Sequence, residues 1–105
     1  MALTRSFKAT VQDRARRDEA FRIGLLEEAI GLLLRGDTAE GKIILRDYVN
    51  ATIGFEQLAE LTHKSPKSLM RMLSAEGNPR ADNLFSVIAQ LQKREGITLA
   101  VRPQP

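Results

Sequence analysis

The chain has 105 residues, of which 43% are hydrophobic, 28% charged and 5% aromatic, enough for one domain with a single core. Lys and Arg number 16 and Asp and Glu 13, so the net charge of +3 permits a nucleic-acid partner without requiring one. With no cysteine, disulfides, thiolate metal sites and a cysteine nucleophile are excluded.

Leucine, isoleucine and alanine dominate, which predicts an all-α protein. No apolar run follows Met1, so no secretory signal is expected. The longest apolar-rich span, residues 23–34, is interrupted by Glu27 and Glu28 and is too short to cross a bilayer. The expectation is a cytoplasmic protein with no membrane partner.

A first helix is predicted to begin near Thr4 or Ser6 and run to Arg17, with Phe7, Val11 and Ala15 in a narrow i, i+4, i+8 stripe. Asp18 is a candidate N-cap for the next helix, and Glu19 suits its positive end. That helix carries Phe21, Leu25, Leu26, Ala29, Ile30 and Leu33 on a broad apolar face, widened by Leu32 and Leu34. Gly36 ends it. Asp37 and Glu40 then have capping-box spacing ahead of a third helix that turns Gly41, Ile44, Leu45, Tyr48, Val49 and Thr52 inward.

Residues 55–74 read as helix, tight turn and helix. Phe55, Leu58, Ala59 and Thr62 share one face, and Ser65-Pro66 restarts a helix with an N-cap serine and a proline at the first helical position. Leu69, Met70 and Leu73 are predicted to turn inward, leaving Lys67, Ser68 and Arg71 outside. Ala59 is small enough for a close helix crossing over Leu69. This layout suits a helix-turn-helix whose second helix enters a DNA major groove. Residues 74–80 carry loop chemistry, and Ala81, Leu84, Phe85, Ile88 and Leu91 define a last helix ending near Gly96. Residues 97–102 alternate apolar and polar, predicting a short strand that must pair with a second copy, a partner's edge or the N-terminal residues; disorder is the other reading.

The segment running from Leu45 to Thr62, followed by Ser65-Pro-Lys-Ser-Leu-Met-Arg-Met-Leu and Gly77-Asn-Pro-Arg-Ala-Asp-Asn-Leu-Phe, resembles the XRE-type, HigA-like antitoxin family of putative addiction-module antidote proteins. The resemblance implies a lambda-repressor-like helix-turn-helix domain at residues 37–96, preceded by a two-helix extension at 1–36 and followed by a strand or tail at 97–105. It also implies binding to a RelE/HigB-like toxin, usually a small ribonuclease, and repression of the chain's own operon. His63 stands at the turn position that such proteins often give to glycine.

On this reading Arg71 pairs with a guanine edge and Ser68 with a base or phosphate. Lys64 and Lys67 are assigned to phosphates, and Gln57 to the adjacent backbone. Ser65 orients the helix N-terminus, while Asn78 and Arg80 form a second phosphate clamp. A homodimer on two half-sites is expected, because one such domain offers too little surface for a tight operator complex. The alternatives are a stand-alone XRE-type regulator and a helix-turn-helix used for protein interaction. A single histidine, no P-loop and no nucleophile motif leave no machinery for an enzyme, a metal site or a cofactor.

Overall fold

The computed structural model describes residues 2–105, with side chains described from Phe7 onward. Six helices and no strand are found among these residues: α1 (Ala2–Arg17), α2 (Glu19–Leu34), α3 (Thr38–Ala51), α4 (Phe55–Thr62), α5 (Pro66–Met72) and α6 (Ala81–Glu95). The chain is all-α. None of its described helices is long and apolar enough to cross a membrane.

The most extensive packing is α2 along α3, with α1 laid against both. Gly41 makes that crossing close: a Cβ there would lie 2.9 Å from the Leu33 side chain and 3.1 Å from the Ala29 carbonyl. One continuous buried cluster joins Leu26 and Ala29 of α2 to Leu45, Tyr48 and Val49 of α3. It extends through Leu58 and Ala59 of α4 and Leu69 of α5 to Val87, Ile88 and Leu91 of α6. Ala59 and Leu69 thus share the core, as their spacing predicts. From α1, Ala15 is fully buried while Phe7 is exposed.

Two predicted core positions are corrected. Met70 is 48% exposed and Met72 is buried in its place, because Leu69, Met72 and Leu73 form the i, i+3, i+4 face and Met70 lies about 100° off it. In α6 the buried register is Leu84, Val87, Ile88 and Leu91, which leaves Phe85 59% exposed. Leu34, at the end of α2, is exposed as well.

The helix ends are held locally. Asp18 accepts a hydrogen bond from the Phe21 amide at 3.1 Å. Asp37 does not cap α3: its ψ of 63° is outside the extended region that capping requires, and its carboxylate lies 3.8 Å from Arg35 Nε instead. The expected C-terminal strand is not formed in the single chain, since no neighbouring strand offers a ladder. Gln92 holds the tail instead: its carbonyl accepts from the Ile97 amide at 3.1 Å and its Oε1 from the Leu99 amide at 2.7 Å. The predicted alternation survives, with Ile97 and Leu99 packed on the core and Thr98 and Ala100 exposed.

Two buried polar links tie the layers together. Arg22 Nε donates to both oxygens of Glu95, and the Tyr48 hydroxyl donates to Glu95 Oε1. Lys42 is buried on α3 and its ammonium donates to the Gly77 carbonyl. Both links satisfy charges that burial would otherwise penalise.

Candidate nucleic-acid interface

The two short helices α4 and α5 are joined by residues 63–65. His63 closes α4 in the left-handed conformation, with φ 57° and ψ 40°, and is the one described non-glycine residue with positive φ. The Lys64 amide donates back to the Ala59 carbonyl at 3.0 Å, which turns the chain sharply away from the α4 axis. Ser65 is extended, at φ −81° and ψ 149°, and its hydroxyl accepts from the Ser68 amide at 3.0 Å. Pro66 at the helix start has no amide to leave unsatisfied.

This geometry orients α5. Leu69, Met72 and Leu73 are buried, and Lys67, Ser68, Met70 and Arg71 are exposed on the opposite side. Arg71 sits near the centre of that face and has no ion-pair partner among the described residues. Met70 adds an apolar contact group beside it. Gln57 is exposed at the start of α4, flanked by the exposed acids Glu56 and Glu60.

The remaining candidates are placed differently. Lys64 is half-buried, and its ammonium donates to Asn83 Oδ1 at 2.8 Å, tying the turn to the first turn of α6. Its charge is held at the turn rather than on the outer face of α5. Arg80 is exposed and lies 3.6 Å from Asp82, which offsets part of its charge. Asn78 lines a small cleft with Thr38 and Lys42, on the side of the molecule where α3 begins. Lys67, Ser68 and Arg71 therefore form one face, Lys64 and Arg80 flank the loop and start of α6, and Asn78 follows Gly77 into the cleft beside Lys42.

The tether from Lys64 to Asn83 was not among the sequence expectations, since no spacing rule links polar residues so far apart. Glycine at position 77 did carry a signal, as loop punctuation. A Cβ there would come within 2.2 Å of the Arg71 carbonyl oxygen, so the chain leaving α5 folds back directly over its last turn. Among the described residues no group of three or more His, Asp or Glu is arranged to hold a metal ion. Compared with protein-family models, curated proteins and solved structures, the chain matches none.

Proposed function

We propose that this chain is a sequence-specific DNA-binding protein, and within that class a HigA-like antitoxin that represses its own operon and silences a RelE/HigB-like toxin in the cytoplasm. In this reading α4 and α5 are a lambda-repressor-like helix-turn-helix, and α5 is the helix that enters the major groove. The observation that carries it is the outward face of Lys67, Ser68 and Arg71, unobstructed by the rest of the chain and set opposite a fully anchored apolar face.

Arg71 reads a guanine through two parallel N–H donors, and Ser68 and Met70 complete the base contacts. Lys67 takes a phosphate. Gln57, the Ser65 end of α5, Lys64 and Arg80 hold the flanking backbone. A homodimer presents two such faces to half-sites about one DNA turn apart. The toxin assignment rests on the sequence resemblance alone.

Fluorescence anisotropy with a duplex from the chain's own promoter tests the DNA reading. Binding should weaken steeply as salt rises, and Arg71→Ala should cost ~1–3 kcal/mol and relax preference at one base position. An Arg71→Ala isotherm identical to wild type would remove Arg71 from the contact set. The exposed Leu61, Met70 and Phe85 favour a second reading, a protein-interaction module. Binding that is absent, or indifferent to salt and sequence, would select it. Co-expression and pull-down with the adjacent open reading frame separates an antitoxin from a stand-alone regulator.

A further inference from the structure

Away from α5, three arginines on three helices line one open cleft of 340 Å³: Arg16 of α1, Arg22 of α2 and Arg94 of α6, with Ala51 and Thr52 at the end of α3 as its floor. Like charges gathered this closely repel, so the cluster needs compensating negative charge. Glu95 supplies some of it. That carboxylate already accepts both bonds from Arg22 Nε and one from the Tyr48 hydroxyl, and its side chain is only 5% exposed. Glu19, at the start of α2, is the other acid whose field reaches Arg22.

Arg22 is fixed in place. Its Nη1 donates to the Ala15 carbonyl at 3.0 Å, and among the described residues Nη2 makes no hydrogen bond. The ends of α1, α3 and α6 converge here, and the partial negative charge of helix ends accounts for Arg22 binding a carbonyl. The same partial charge favours Arg16 and Arg94, in the last turns of α1 and α6, but holds neither in place. Arg16 and Arg94 are exposed, and neither side chain donates to a carbonyl or pairs with a carboxylate among the described residues. Thr52 adds shape only, because its hydroxyl donates to the Tyr48 carbonyl at 2.7 Å.

We propose that this cleft binds a phosphoryl group, with Arg22 as the fixed donor and Arg16 and Arg94 closing on it from either side. One guanidinium fork satisfies a carboxylate, whereas the free Nη2 of Arg22 and the two exposed forks supply more donors, enough for the two free oxygens of a phosphodiester, each of which accepts several N–H bonds, or for the three of a phosphomonoester. The ligand is a backbone phosphate of nucleic acid or a free phosphorylated compound; the chemistry of capture is the same. The site does not depend on α5 reading DNA.

The test is a titration of the full chain with inorganic phosphate at constant ionic strength, following the arginine Nε–H resonances by NMR. Saturable shifts should appear at Arg16, Arg22 and Arg94 while Arg71 stays still. The double variant R16Q/R94Q, which removes two exposed and unpaired charges and so folds normally, should bind phosphate about tenfold more weakly. No saturable shift, equal shifts at Arg46, Arg71 and Arg102, or wild-type affinity in the double variant would each overturn the proposal. A duplex of random sequence then separates the sources. If R16Q/R94Q lowers the slope of log affinity against log salt by about 1, the cleft holds a nucleic-acid phosphate. An unchanged slope, with phosphate binding intact in the wild type, identifies a free phosphorylated compound.

Discussion

Arg22 in the first turn of α2 and Glu95 at the last position of α6 are 73 residues apart, and hydrogen bonds of 2.9 and 3.0 Å join them. The pair closes the bundle from one end of the chain to the other, and Tyr48 completes it from α3. Burial alone would raise the Glu95 carboxyl, but the bonds from Arg22 and Tyr48 outweigh it and hold the group below its ordinary value of 4.5. Burial and then Glu95 push the Tyr48 phenol upward, so it remains a donor.

Glu95→Gln should lower stability by about 3 kcal/mol near neutral pH, read from urea unfolding, because Arg22 is left buried without its counter-charge. The pH dependence has a definite sign. A carboxyl with a depressed folded value contributes fully above its unfolded value and loses that contribution as pH falls through the folded one. The gap between wild type and Glu95→Gln should therefore narrow from about pH 5 downward. An equal gap at about pH 3 and pH 7 would contradict the assignment.

His63 occupies the left-handed region at φ 57°, where an ordinary side chain costs roughly 1–2 kcal/mol. His63→Val should destabilise the fold by about 1 kcal/mol further, or roughly 4–8 °C in thermal midpoint, since a β-branched residue fits this region worst. His63→Gly should lie between no change and a gain of about 1 kcal/mol, its relief being partly offset by a more flexible unfolded chain. A valine variant as stable as the wild type would mean that the turn adopts another conformation in solution.

Gly77→Ala forces a methyl group against the carbonyl oxygens of Arg71 and Met72, at 2.2 and 2.7 Å. Backbone must move to admit it, at a cost of ~1–3 kcal/mol. Differential hydrogen exchange should place the disturbance in α5 and residues 74–80 and leave α2 and α3 protected. Uniform loss of protection would show that the loop is not where the strain falls.

Removing residues 97–105 uncovers the core beneath Ile97 and Leu99, each half-buried. About 2 kcal/mol of stability should be lost while helix content by circular dichroism is kept. Leu99→Ala should reproduce about half of that loss. If neither change affects unfolding, the tail does not rest on the core in solution.

Much of the fold was legible from spacing and caps. The turn at residues 63–65 could be located because serine, proline and a change of apolar register coincide there. Faces were harder than elements. Hydropathy points Met70 and Phe85 inward, yet each sits one residue off the face its neighbours define. The polar links left a readable trace that hydropathy hides. Arg22 stands four before Leu26 and seven before Ala29, Glu95 four after Leu91 and seven after Ile88, and Lys42 three before Leu45. A charged residue in apolar register signals a buried pair, although only three-dimensional packing reveals which partner it finds.

For the exposed α5 residues, spacing gave the face but nothing about which neighbours would hold its ends. Spacing offers Lys64 as free charge for phosphate; its bond to Asn83 makes it a tether first. Any ligand drawing on that ammonium must compete with an internal acceptor.

That tether and its counterpart at the far end, Lys42 on the Gly77 carbonyl, have a joint effect on α5. Seven residues are too few to remain wound in isolation. With the residues on either side of it strapped to longer rods, the segment is ordered before any target is met, so docking of the kind proposed need not begin with the entropic toll of ordering it.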